Sequence, residues 1–421
     1  MNWLKAYLSG QIEEIGRDDR LRWYGSFLAL TMVWTWILWM QKGMIKLLVQ
    51  DPPFPLCWPF FENCQAYRFW TPGQLQVFLY GFLCLAFVSA GLFCFKKHLK
   101  TAWVSLLALN LIKLTLFWQS YKLMGNYHFM AFLAGFAYLL VPNKVQTLKF
   151  LIVGFYVSAG LIKFESEWFS SAAMPQHWIK FGPPVWIEKW GLMPVSSAYA
   201  VLLEMVIVFG LLSRNKWIFW STFAQFIWFH VFSWFFVGFF YPCVMSCLLM
   251  IYPLDFLRRR QGGTTMSPLF PKQARLISYS YLAVYVFLQL WPKVLPGDTA
   301  LTSEGRMAAL NMFDSNSRCH SMILAHFSGK TLDLSEGRNS LGMSVRIGCE
   351  PHVYLSRAKQ WCREFNGDPE FKGVSLNLIA RRSNSESYTA LVDLDDVCSD
   401  SIQYNALLPN DWVNKGVDDE I

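Results

Sequence analysis

Apolar residues in this chain are gathered into long runs separated by short polar connections. Runs long enough to cross a bilayer, which takes about 20 helical residues for roughly 30 Å of hydrocarbon, fall at 24–46, 74–95, 101–121, 125–142, 147–164, 194–213, 216–236, 237–252 and 274–292. The pattern predicts about nine transmembrane helices. The aromatic-rich stretch 216–252 is divided near Gly238 and Pro242 into two short, kinked spans. Residues 1–23 have mixed charge and are expected to form an amphipathic helix on the cytoplasmic surface. Between 165 and 193, Trp168, Trp178, Trp186 and Trp190 alternate with Glu, Lys, His and Pro, as in helices that lie in the outer interface. Beyond residue 293 the pattern changes. MSVRI (343–347), VSLNLIA (374–380) and TALVDLD (389–395) alternate like strands, and VYLSRAKQWCREF (353–365) has helical spacing. The expected architecture is an all-α polytopic membrane bundle over 24–293 with a small α+β extracytoplasmic domain over 294–421.

Composition supports that division. Of 421 residues, 54 % are hydrophobic and 16 % are Asp, Glu, Lys or Arg, against roughly 25 % charged in a soluble domain. With a mean hydropathy of +0.27, disorder is excluded. The net charge of +8 sits in short clusters between the apolar runs, where the positive-inside rule expects it, so no nucleic-acid partner is indicated. Lys96, Lys97 and Lys100 follow the second run, Lys144 and Lys149 the fourth, Arg214 and Lys216 the sixth, and Arg258, Arg259 and Arg260 the eighth. Placing these on the cytoplasmic side puts the N-terminus inside and the C-terminus outside, in a bacterial inner membrane or, in a eukaryote, the ER membrane. A single crossing over 216–252 would put Arg214 and Arg258 on opposite sides, which the rule disfavours. No cleavable signal peptide is visible, the first run reads as a signal anchor, and 261–273 reads as a cytoplasmic linker.

The ten cysteines divide the same way. Cys84, Cys94, Cys243 and Cys247 lie within runs, as small buried hydrophobes do. Cys57, Cys64, Cys319, Cys349, Cys362 and Cys398 fall on segments expected outside, where disulfides form. A Cys57–Cys64 loop with two bridges in the tail is one pairing; a bridge from the first loop to the tail is another.

An ionisable residue inside a span is costly unless it is paired, neutral or in a wet cavity, so each is a functional candidate. Lys113, His128, Lys163, Glu204 and His230 stand out, with Lys122 just ahead of His128. Lys122, His128 and Lys163 are expected at one depth near the outer interface. Against this stand plainer roles: snorkelling for the two lysines, packing for the histidines, and a bundle-holding pair between Glu204 and Lys113 or a basic loop. His320, His326 and His352 read as surface residues. No metal-ligand spacing, P-loop, GxGxxG or nucleophile elbow is present.

AGLIKFESEW (159–168) resembles the segment of vitamin K-dependent gamma-carboxylases in which Ala-Gly, a Lys, an acidic residue and a Trp recur at these spacings. KLMGNYH (122–128) is similar to that family's Lys, Asn and His arrangement. His177 and Trp178, then Glu204, then Phe229 and His230 follow in the same order, and LTSEGRMAALNMFDSNSRCH (301–320) resembles the start of the family's lumenal domain. The resemblance runs over about 22–400, within the broader HTTM grouping. It departs from animal members at Ile162, where they carry a second Lys, at Tyr127, where they carry Asn, and in a much shorter outer domain.

The resemblance implies Lys163 and His128 as catalytic residues. Asn126, Lys122, Trp168 and His230 would lie at the cofactor, with Glu204 and Lys113 in support. Its cofactors would be reduced vitamin K, O2 and CO2, with no metal; its partners, the bilayer, a prenyl-quinol and an extracytoplasmic Glu-containing peptide or protein. In the family, Lys deprotonates the quinol, reaction with O2 gives an alkoxide that removes a proton from Glu as the quinol becomes an epoxide, and CO2 traps the carbanion. Lys163 would act as a neutral amine in a dry cavity, and His128 would stabilise developing negative charge. Glu165 and Glu167 are expected in the interfacial roof, pointing away from Lys163. Two alternatives stand beside this: a quinol-oxidising enzyme without peptide carboxylation, and a non-catalytic quinone- or partner-binding scaffold.

Overall fold

The computed structural model describes residues 2–50, 56–61, 64, 70–174, 181–260, 272–310, 317–335 and 347–415. Helices α1 (Asn2–Arg17) and α2 (Asp19–Gln41) open the chain, followed by α3 (Pro72–Phe93), α4 (Leu99–Trp118), α5 (Asn126–Leu140) and α6 (Lys144–Ile162). Two short helices, α7 (Ser166–Phe169) and α8 (Pro183–Lys189), precede α9 (Met193–Met205), α10 (Lys216–Val237), α11 (Phe240–Leu249), α12 (Ile251–Arg260) and α13 (Lys272–Leu290). The tail adds α14 (Thr299–Thr302), β1 (Arg318–Phe327), β2 (Thr331–Asp333), α15 (Pro351–Phe365), β3 (Phe371–Arg381) and β4 (Thr389–Leu394).

Local chemistry explains several boundaries. Thr71 and Gln74 close a capping box on α3, with Pro72 at the first helical position, where its missing N–H is harmless. Asp18 caps α2 and Asn215 caps α10 through their side chains. Gly238, at φ 80°, ends α10 in a conformation that a residue with a Cβ rarely adopts.

Five helical segments among the described residues are long and apolar enough to cross a membrane, as in a multi-pass membrane protein: Pro72–Phe93, Lys96–Trp118, Lys144–Ile162, Met193–Leu212 and Phe240–Arg260. Nine spans are not confirmed among the described residues. The run 125–142 forms only the 15 residues of α5, about 22 Å of helix, because Pro142 cannot continue it. The run 24–46 becomes α2, which ends at Gln41 and includes Thr31, Trp34, Thr35, Trp36 and Trp39, residues of low hydropathy. Within 216–252 the chain breaks at Gly238 as expected. Pro242, however, sits in the first turn of α11, and the helical path runs on through α12 to Arg260.

The tail folds as expected at VSLNLIA, TALVDLD and VYLSRAKQWCREF, whereas 343–346 of MSVRI lie outside the described residues. Its sheet is antiparallel throughout, in the order β2-β1-β3-β4, with Ile323 opposite Leu376 and Ala325 opposite Val374. Those four residues are buried together with Val353, Tyr354 and Ala358 of α15. One apolar cluster runs from Met32 and Trp39 of α2, through Tyr121 and Leu123, to this sheet. The pairs Cys57–Cys64, Cys319–Cys349 and Cys362–Cys398 form disulfides, the first of the two pairings the sequence left open.

Polar contacts dock the tail on the helices. Tyr121 Oη donates to Glu350 at 2.6 Å, and His352 Nε2 lies 3.1 Å from the Cys57 carbonyl. His352 is therefore buried rather than on the surface, while His320 is exposed and His326 half-buried. Arg382, just after β3, donates to Glu165 and Asp298. Burial alone would raise the Asp298 carboxyl, but the Arg382 hydrogen bonds and charge outweigh it and hold that group below its ordinary range.

Candidate functional site

Helix α6 ends at Ile162, and Lys163 caps it, its N–H donating to the Gly160 carbonyl at 3.2 Å. A cation there faces the negative end of the helix dipole. The chain then turns extended at Glu165 and re-enters helix at Ser166. No Gly or Pro marks the stop; the tail holds it. Glu165 accepts from Arg382 and Lys293, and Glu167 Oε1 accepts from the Ser383 N–H at 3.1 Å. Both acidic residues thus bond to Lys293 and the tail and leave Lys163 to another partner.

That partner is Glu204. Lys163 Nζ lies 2.7 Å from both carboxylate oxygens, and the two side chains are 4 % and 0 % exposed. Gly160 makes the approach possible: a Cβ there would stand 2.4 Å from Met205 Cγ and 3.3 Å from Glu204 Cβ. Glu204 thus pairs with Lys163 rather than with Lys113 or a basic loop, and the missing Cβ of Gly160 lets α9 approach α6 at that point. Glu204 lies 11 residues into α9, about 16 Å from its first residue. From α7, Trp168 covers the pair, its ring 5.1 Å from Lys163 Nζ and its indole N–H bonded to the Ser197 carbonyl at 2.8 Å.

On the same face of α6, Tyr156 Oη lies 2.6 Å from His230 Nε2 of α10. His230 is within electrostatic reach of Lys163, and Tyr156 and Tyr241 are within reach of Glu204. Tyr241 packs edge-on against His230 at 5.4 Å. Among the described residues, His230 Nδ1 and Tyr241 Oη are buried without a hydrogen-bond partner. Lys163, Glu204, Trp168, His230, Tyr156 and Tyr241 thus form one buried group.

His128 belongs to a second group. It opens α5 among the rings of Trp39, Phe117, Tyr127 and Phe240, at 6.1, 5.7, 4.5 and 5.9 Å. Lys113 acts on it electrostatically. No hydrogen bond or ion pair joins His128 to Lys163 among the described residues; the nearest link runs through neighbouring Phe240 and Tyr241 of α11, which touch His128 and His230 respectively. Lys122 is half-buried in the 121–123 turn, and Asn126 is the first residue of α5, also half-buried. His177 and Trp178 lie outside the described residues.

Sequence reasoning missed Tyr156, Tyr241 and Trp39. Tyr156 had a signal: it precedes Lys163 by seven residues and so shares its helix face. Trp39 and Tyr241 had none, since each is one aromatic among many. Among the described residues no group of three His, Cys, Asp or Glu is arranged to hold a metal ion. No family model, curated protein or solved structure matches this chain.

Proposed function

We propose that this chain is a membrane-embedded enzyme of the vitamin K-dependent gamma-carboxylase type, in which the Lys163–Glu204 pair accepts a proton from a lipid-soluble hydroquinone. The observation that carries the reading is the contact of Lys163 Nζ with both oxygens of Glu204, buried from solvent. Such a pair shares one proton between amine and carboxylate, and in either arrangement it can accept one more. It then carries a positive charge beside the anion it has just produced, in surroundings of low dielectric where that attraction is strong. The donor set suits an oxygen-bearing aromatic ring: the Tyr241 hydroxyl and His230 Nδ1 are buried beside the pair with no hydrogen-bond partner among the described residues, and Trp168 offers an aromatic face. When bound, the hydroquinone supplies the acidic hydroxyl and the electrons for oxidation by O2. Tyr156 holds His230 through Nε2, which leaves Nδ1 to face a ligand. Trp168 and α7 shield the pair from water. We assign His128 to the same enzyme as an electrostatic group acting from the neighbouring cluster. In the topology proposed from the basic clusters, the pair faces the extracytoplasmic half of the membrane, where a Glu-containing peptide would arrive.

The test is purified protein in nanodiscs with reduced vitamin K, O2, labelled bicarbonate and a Glu peptide, assayed for epoxide and gamma-carboxyglutamate. Lys163→Ala and Glu204→Gln are expected to abolish epoxide formation while folded protein persists, and His128→Ala to lower it. Epoxide without gamma-carboxyglutamate in the unaltered protein would select quinol oxidation alone. Unchanged epoxide yield in Lys163→Ala would refute the assignment and favour the scaffold, for which the pair is a bundle staple.

A further inference from the structure

Lys113 is unused by the Lys163 reading, and its surroundings are unusual. It lies on α4 one turn before Phe117, facing His128 and, one turn later, Phe132 on α5; α2 brings Trp39 against His128, and α3 brings Phe82 against Trp39. Lys113 is fully buried, and its Nζ has no hydrogen-bond partner among the described residues; it lies over the Phe132 ring, 4.7 Å from the centroid. The Trp39 indole N–H and His128 Nδ1 are also buried with no partner among the described residues. No carboxylate pairs with Lys113 among the described residues: Glu204 is held by Lys163 and Glu350 by Tyr121.

Three nitrogens with no hydrogen-bond acceptor among the described residues thus sit in one wall of aromatic rings. A π face compensates a desolvated cation only in part, and a buried donor without an acceptor is costly. What the cluster lacks is a single negative charge with lone pairs for several donors. Helices α3 and α4, which flank it, carry exposed Val77, Tyr80, Phe87, Val104 and Leu111 on their outer faces, an apolar surface suited to a ligand dissolved in lipid. We propose that Lys113, Trp39 and His128 form an oxyanion site that takes the carboxylate head of a single-chain amphiphile, a fatty acid. One ammonium balances one carboxylate, and two carboxylate oxygens suffice for the ammonium, the indole N–H and an imidazole protonated at Nδ1. A phosphate would bring more charge than a lone lysine matches, and Phe82, Phe117 and Phe132 line the start of an acyl chain. The site stands apart from the Lys163–Glu204 pair but shares His128 with the proposed enzyme, so its test is made at Lys113 and Trp39.

The test is equilibrium binding of radiolabelled oleate to the full-length protein in nanodiscs of phosphatidylcholine, with unlabelled oleate, oleyl alcohol and lysophosphatidic acid as competitors. Saturable oleate binding is expected, displaced by oleate and not by oleyl alcohol. Lys113→Met should weaken it about tenfold or more, the loss of a charge-assisted bond, and Trp39→Phe should weaken it less. Lys163→Met should leave it unchanged. Because Lys113→Met removes a buried amine with no acceptor among the described residues, its thermal unfolding midpoint without oleate should equal or exceed that of the unaltered protein, which separates lost binding from lost folding. No saturable binding, equal displacement by oleyl alcohol, displacement by lysophosphatidic acid alone, or full affinity in Lys113→Met would each overturn the proposal.

Discussion

The Lys163–Glu204 contact can be tested by a double-mutant cycle in stability, independently of any activity. Both side chains are buried, and the amine lies 2.7 Å from each carboxylate oxygen. Removing one member leaves the other as an uncompensated charge in low dielectric, which costs about 3–5 kcal/mol. Lys163→Met and Glu204→Leu are therefore each expected to lower stability by that order, whereas the double variant leaves no stranded charge. It should recover about 2–3 kcal/mol of the summed loss as coupling. Equilibrium unfolding of the four proteins in the same detergent, followed by tryptophan fluorescence, measures the cycle. If the two single losses add within about 0.5 kcal/mol, the pair does not form as described, and the proton-acceptor argument fails with it. Epoxide formation gives a second, separable result. It should be absent in both single variants and in the double, because restored packing does not restore a base.

Other expectations follow from particular contacts. Gly160→Ala places a Cβ 2.4 Å from Met205 Cγ; α9 must shift, so stability should fall by about 1–3 kcal/mol and epoxide formation should fall with it, measured on one preparation. Burial holds the His352 imidazole down at about 4, below its ordinary 6.5. Between those values the unfolded chain binds more protons, so stability is present above about 6.5 and is lost as pH falls toward about 4, by about 3 kcal/mol in all. His352→Gln should flatten that part of the pH profile, and an unchanged profile would assign the effect to another group. Arg382→Gln removes the guanidinium that joins Glu165 and Asp298 at the junction of tail and helices; faster amide exchange in α7 is expected, and protection equal to that of the unaltered protein would show that the tail does not hold the turn after Lys163.

The sequence by itself determined the membrane class, the helical character of its long apolar runs, the cysteines available to the tail, and the ionisable residues worth following. These are properties of composition and of periods of two and 3.6 residues, which each segment carries alone. Helix length was less legible: nothing in the hydropathy of 125–142 outweighs Pro142, and nothing before Arg260 stops the helical path that starts at Phe240. Only the tertiary structure decided which charges meet. Lys113 and Lys163 are alike in a hydropathy profile, yet Gly160 lets α9 bring Glu204 to one of them, while the other is left with aromatic rings. The turn after Lys163 likewise depends on Arg382 and Ser383, more than 200 residues away. Pairing is a property of how close two backbones can come, and that distance is set by side chains on both helices at once.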